Sequence, residues 1–388
     1  MAPQYKKLTK EQTARLEKQG CSSEDWANVR ISEGFNPEYI HNVHFSGQVE
    51  LGSFEKSLTL TGGLSRHTGI YNAAIHNCRI ADNVYINRVN NCIANCDIRD
   101  DVVIENVDLI CAEGTTTFGN GTEIAVLNES GGREIPIFDG LCAQTAYMIA
   151  FYRHRDGVIE KLQKMINDYV ESVRSDKCLL EKGSRVANSH SLINIRLGAG
   201  AQIEGAMKLS NGSVGSSPKE PAYIGPAVIA ENFILAPGAS LDSGATISGC
   251  YVGQSARLAE GFSATDSVFF ANAECLRGEA CSIFAGPYTV THHKATLLIG
   301  GFYAFFNAGS GSNQSNHMYK LGPVHQGIFE RGCKTASESY VLWPARIGSY
   351  TVVMGRHYGN PDTADFPFSY LLEQHDHSLL VLGGNVRS

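Results

Sequence analysis

Six residues separate each of Ile80, Ile86, Cys92, Ile98, Ile104 and Ile110. An amphipathic helix repeats apolar residues at spacings of three and four, and a half-buried strand repeats them at two. A sustained beat of six fits one short strand plus one corner, stacked along an axis as a solenoid. The beat returns at Ile229, Leu235, Leu241 and Ile247 and, after a slip of one residue, at Val252, Leu258, Ala264, Phe270 and Leu276. Two distant stretches therefore share one architecture.

The residues two before the first six anchors are Cys78, Val84, Asn90, Cys96, Val102 and Asp108. Four of these are small or medium apolar groups that can share the interior with the anchor. Three before the anchors stand Asn77, Asn83, Val89, Asn95, Asp101 and Val107. Asn and Asp tolerate the left-handed backbone that sharp corners need, so these positions are predicted to be corners. In the second stretch Gly and Pro take that duty.

Gly200-Ala201-Gln202-Ile203, Pro237-Gly238-Ala239-Ser240-Leu241 and Gly244-Ala245-Thr246-Ile247 place a small residue two before an aliphatic one. In this the chain resembles the hexapeptide repeats of left-handed parallel β-helix acyltransferases and sugar-nucleotide enzymes, over roughly residues 40–128 and 184–357. The resemblance implies a mainly β fold, a left-handed parallel β-helix of triangular coils whose crossovers run against the usual right-handed preference. It also implies an acyl-coenzyme A co-substrate and self-association, with a trimer the favoured state. A fainter resemblance is to β-helix proteins described as UDP-N-acetylglucosamine pyrophosphorylase-related, although the glycine-rich basic nucleotide loop of true pyrophosphorylases is absent.

Net charge is −7 with 18% charged residues, which argues against nucleic acid or an anionic membrane as partner and leaves a small molecule. Neither a leader peptide nor a run of about 18 apolar residues occurs, so a cytoplasmic protein is expected. Cys78, Cys92 and Cys96, three of the eleven cysteines, occupy inward repeat positions and read as buried thiols.

The chain is predicted to comprise an N-terminal helical cap (1–39), a first β-helix block (40–138), a helical insertion (139–178), a second block with irregular loops (179–360) and a C-terminal extension (361–388). Thr9 to Gln12 reads as a capping box opening a short helix. In the insertion Leu141, Met148, Phe151, Tyr152, Ile159, Leu162, Met165, Ile166, Tyr169 and Val173 follow helical spacing, with Gly157 as the expected break. This element could pack on the coils, make a dimer or wall a pocket. Arg153, His154 and Arg155 form a basic cluster, either solvated charge or an anion site.

Chemistry is expected where the repeat is lost. His292, His293, His317, His325 and His357 fall around the polar run Gly309 to Lys320, and a loop pinned by rigid repeats is where scaffolds carry function. An acyltransferase needs a base for the acceptor hydroxyl or amine, and histidine titrates near neutrality. His317 and His325 are the catalytic candidates. Asn316 and Gln326 stand beside them to steady an oxyanion, while Tyr319 and Lys320 can hold a hydroxyl or phosphate; His292, His293 and His357 complete the substrate-binding set. The expected reaction is acyl transfer to a sugar or nucleotide sugar. Two alternatives stay open. One is histidine-bound metal hydration resembling γ-class carbonic anhydrases, although no metal ligands are assigned and His317 and His325 have seven residues between them rather than four. The other is a binding solenoid without catalysis, in which Phe302, Tyr303, Phe305 and Phe306 make a partner face.

Overall fold

A computed structural model describes residues 5–315 and 326–387. The chain divides into two compact units, Met1–Phe118 with Val173–Val228 and Gly119–Ser172 with Ile229–Ser388. Each is built on parallel strands stacked as a solenoid. Three α-helices occur among the described residues: α1 (Lys10–Lys18), α2 (Ala143–Phe151) and α3 (Asp156–Val173). None is long and apolar enough to cross a membrane.

In the first unit the coils that carry the six-residue beat pair residue i with residue i + 18, as in Ile80 with Ile98, Ile86 with Ile104 and Val89 with Val107. Ile80, Ile86, Ile98, Ile104 and Ile110 are all buried, as are Cys78, Val84, Cys96 and Val102. The predicted corners Asn77, Asn83, Asn95 and Asp101 all have φ between +51° and +58°. Where Val89 and Val107 interrupt that pattern, the preceding Arg88 and Asn106 take the left-handed conformation. Corner asparagines also bind one another between coils, Asn42 Nδ2 donating to Asn72 Oδ1 at 3.2 Å and Asn72 Nδ2 to Asn87 Oδ1 at 3.3 Å. Helix α1 opens on the expected capping box, with the Gln12 N–H donating to Thr9 Oγ1 and the Thr9 N–H to Gln12 Oε1. Solenoid pairing starts within the expected cap, where Val29–Ile31 runs parallel to Val49–Leu51.

Four anchors differ from the six-residue reading, two of them because Phe269 rather than Phe270 is in register with Val252 and Cys275 rather than Leu276 with Leu258. The register shifts between Val89 and Cys92, so Ile93 points inward and pairs with Ile75 and Ile110 while Cys92 is half-buried. Ile229 is 37% exposed because its neighbour Ala230 takes the inward place.

In the second unit the inward column runs Ala230, Ile247, Ala264, Ala280, Leu298. Strand side chains alternate faces, and an outward column on the same coils runs Ile234, Tyr251, Val268, Phe284, Phe302, Ile328. The first four are nevertheless buried, because residues 119–172 lie over them. That cover is the hairpin Thr122–Ala125/Glu134–Ile137 together with α2 and α3, contributing Ile124, Ile135, Ile137, Ala146, Ile149 and Ile166. Tyr251 Oη donates to the Leu141 carbonyl at 2.6 Å and fixes the start of α2 on the coil. The helical break falls at 152–155, not at Gly157. Gly157 is the second residue of α3, where its N–H has no partner within the helix in any case.

Candidate functional site

His317, His325, Asn316, Tyr319 and Lys320 lie outside the described residues. The remaining predicted site residues are spread over different surroundings. His292 Nε2 is 3.1 Å from Glu274 Oε2, a carboxylate that also receives Arg257 at 3.2 Å. His293 is exposed. His357 is fully buried at an inward position in register with Val341, with Nδ1 2.8 Å from Ser378 Oγ and Nε2 3.2 Å from the Met354 carbonyl. Burial holds its pKa below the ordinary histidine value. With both ring nitrogens satisfied inside the coil, His357 ties the C-terminal hairpin Tyr370–Gln374/His377–Val381 to the stack and is closed to a substrate. Gln326 borders a hollow of about 300 Å³ with Ile328, Arg346 and Asp362. Strands Val290–Thr291 and Arg356–His357 belong to different ladders, so His292 and His357 do not form one site. Among the described residues no three His, Cys, Asp or Glu side chains are grouped to hold a metal.

The second unit has a different concavity where the outward column leaves its cover. Phe302 is only partly buried, and it borders with α2 an open groove of about 730 Å³. One wall is Ala143, Tyr147 and Met148 of α2 with Val158 of α3, and the other is Phe284, Phe302 and Phe305 of the coils. Helix α2 turns its small residues Ala146 and Ala150 into the core, which leaves Tyr147 on the groove side, 39% exposed. The rings touch: Tyr147 and Phe151 are 4.7 Å apart, and Phe302 meets Tyr147 at 5.7 Å and 63° and Phe151 at 5.5 Å and 89°. Burial, then the neighbouring Tyr152 and Glu330, raise the Tyr147 pKa, so the phenol stays neutral.

Charge in the groove comes from Arg155, in the turn between α2 and α3, and from Arg331. The Arg331 guanidinium lies over the Phe305 ring, 3.6 Å from its centroid, a geometry that desolvates one face and leaves the N–H edge free. Two nearby arginines have carboxylate partners, Arg153 with Glu134 and Arg346 with Glu330, while Arg133 lies over the Phe151 ring, 5.6 Å from its centroid, and does not line the groove. Among the described residues Arg155 and Arg331 are in no ion pair. The basic cluster thus divides, with Arg153 serving structure and Arg155 facing the groove.

Beside the groove Cys142 is the N-cap of α2, and it is exposed. Burial alone would push its thiol up. The Thr145 hydroxyl, 3.2 Å away, and the first backbone N–H groups of the helix outweigh that and hold the pKa below the ordinary range.

Of the residues around this groove, Met148, Tyr152, Arg155, Phe302 and Phe305 stand out in the sequence, but none of them belongs to the expected site set. The available signal was the large apolar residues Tyr251, Phe284 and Phe302 at outward positions, which require a cover or a ligand.

The profile of DUF4954, a domain of unknown function, matches residues 5–388. The chain is also 26% identical over 383 residues to an uncharacterized protein of Treponema pallidum (strain Nichols), which covers 95% of this chain. The chain spans about half the length of that relative, 52%.

Proposed function

The chain belongs to the DUF4954 family, and on that premise we propose that its working site is the groove between α2 and the coils of the second unit, holding an organic anion with an apolar body. One observation carries the reading: two guanidinium groups without carboxylate partners face an open, otherwise apolar concavity. Charge-assisted bonds to arginine fix an anionic group, while the rings and Met148 remove apolar surface from water. The volume falls within the range of ordinary small-molecule sites.

In the transferase form of this proposal the anion is an acyl-coenzyme A, the acceptor is a sugar or nucleotide sugar, and His317 or His325 is the general base. The left-handed sense of the coils, the hexapeptide-repeat relationship and assembly as a trimer belong to the same form. A crystal structure reads the hand, and light scattering reads the assembly. The cytoplasm is the proposed setting, since Cys142 and the other ten cysteines are all unpaired thiols, a state that a reducing compartment maintains. In the non-catalytic form the groove binds and releases its ligand unchanged.

Calorimetry with acetyl-coenzyme A, a long-chain acyl-coenzyme A and a uridine diphosphate sugar tests the site, using the wild type, Arg155→Gln and Arg331→Gln. Binding that weakens about tenfold or more in either variant supports it. No binding, or binding indifferent to both substitutions, removes the groove as the site. For the transferase form, His317→Ala or His325→Ala should lower turnover by about 100-fold or more; equal turnover in both variants and wild type removes these histidines as the base, and no turnover in the wild type leaves the non-catalytic form.

A further inference from the structure

The groove's walls say more about the body of its ligand than its charge does. A planar ligand such as a nucleobase is best held between two roughly parallel faces about 7 Å apart, twice the carbon–carbon contact distance. The groove rings offer no such slot. Tyr147 and Phe151 stack directly on each other at 4.7 Å, and Phe302 fills the remaining space, edge-on to both. Phe284 closes the row, 5.0 Å from Phe302 at 39°. What this herringbone leaves exposed is a corrugated trough of ring edges, continued by Met148 and Val158, which is 49% exposed. Corrugated edges suit a flexible chain, which can follow them by rotating about its own bonds. Arg331 stands beside this trough with one face pressed on Phe305, and Phe305 also borders a second hollow of about 530 Å³ with Lys334 and Tyr350. A cation at the junction of an apolar trough and a more polar hollow is the arrangement for a molecule with one anionic head and one apolar tail.

We infer that the groove selects a linear aliphatic chain of medium length carrying a single anionic head, with the chain on Tyr147, Met148, Val158 and Phe302 and the head on Arg331. The inference rests on the groove being the ligand site, in the non-catalytic form of that reading, and names the class of ligand it takes. Carboxylate and phosphate heads share the chemistry that Arg331 recognises, so both are tested.

Calorimetry on the full chain compares octanoate, decanoate and dodecanoate below their micelle concentrations, decyl phosphate, the neutral 1-decanol, and adenosine monophosphate as the planar anion. Protection of Cys142, one residue before the groove-lining Ala143, from alkylation provides a second readout. Affinity should rise about fourfold per added methylene, the fold-change equivalent of about 0.8 kcal/mol, until the chain outruns the trough. Arg331→Gln should abolish the preference for decanoate over decanol while leaving decanol binding unchanged. Tyr147→Asp, at a position that is 39% exposed, should flatten the chain-length series in protein whose circular dichroism spectrum matches the wild type. Tighter binding of decyl phosphate than decanoate would identify the head as phosphate, and the reverse as carboxylate; either supports the inference. If adenosine monophosphate binds, protects Cys142 and responds to Arg331→Gln while the chain-length series is flat, the site reading stands and the aliphatic class is wrong. If no probe binds, or binding ignores both substitutions, the inference falls, and the site reading falls with it where the coenzyme A and uridine diphosphate sugar titrations are silent as well.

Discussion

Cys92 and Ile93 are adjacent, and the six-residue beat and the observed register disagree on which of them enters the core. Ile93 is fully buried and pairs on both sides with isoleucines, Ile75 and Ile110. Truncation of Ile93 to Ala removes three carbons, about 2.4 kcal/mol of transfer free energy at about 0.8 kcal/mol each. The interior wall between two other isoleucines cannot collapse fully, so a cavity penalty adds to this and the loss should fall between about 2 and 5 kcal/mol. Ile93→Val removes one carbon and should cost about 0.5–1.5 kcal/mol. Cys92 is half-buried on the other face, and Cys92→Ala should change stability by less than about 0.5 kcal/mol. Urea denaturation followed by far-ultraviolet circular dichroism measures all three, with the m-value held common so that the midpoint alone reports stability. If Cys92→Ala is as damaging as Ile93→Ala, the bulge is not where the structure puts it, and the inward column of the first unit is misregistered beyond Val89.

His357 makes folding stability fall with acidity. Its buried ring has a pKa below the ordinary value near 6.5, so as pH drops through about 6.5 the unfolded chain gains a proton that the folded chain refuses. Stability should be flat above that pH and decline below it; denaturation at pH 7.5, 6.5 and 5.5 should show a smaller decline in His357→Gln, and identical slopes would contradict the burial. Cys142 should alkylate at least tenfold faster than any other cysteine at pH 7, because it is the exposed thiol and its pKa is held down at a helix start. Thr145→Val should slow that reaction, and first labelling at Cys92 or Cys281, which are half-buried, would count against the geometry.

The coil interior is legible in sequence because a buried wall accepts few residue types and the corners accept fewer still. Ile80, Ile98 and Ile104 announce the one, and Asn77, Asn83 and Asn95 the other. The bulge is not legible, since Cys92 and Ile93 are both apolar and spacing alone cannot choose between them. His357 resembles a site residue on a polar chain segment. Its inward place follows only from pairing with Val341, across coils whose lengths the hexapeptide beat no longer predicts: Phe302 pairs with Ile328, 26 positions on. The groove lies further out of reach. Arg155 and Arg331 come together because α2 and α3 settle on coils far along the chain, and periodicity within either segment carries no record of that contact.

Cys96–Ile98 pairs with Cys178–Leu180, although the chain leaves the stack for residues 112–177 between them. The preceding neighbour in this ladder is 18 positions away, and this one is 82. Loop-closure entropy grows only logarithmically, so the longer detour adds about 1.3 kcal/mol to forming that step of the ladder. The thermodynamic burden is small, but the kinetic one is larger, because nearby coils can zip in sequence whereas this step must wait for two remote strands to meet. The seam between Cys96 and Cys178 is therefore expected to be the last part of the first unit to close and the first to open. Amide hydrogen exchange should show weaker protection at Cys178, whose N–H donates to the Asn95 carbonyl across the seam, than at Ala81 on the preceding coil, whose N–H donates to the Ile98 carbonyl. A solenoid can thus accept a helical wall at one coil boundary without any change in its core, and it carries the mark of that acceptance as a slow hinge in its folding.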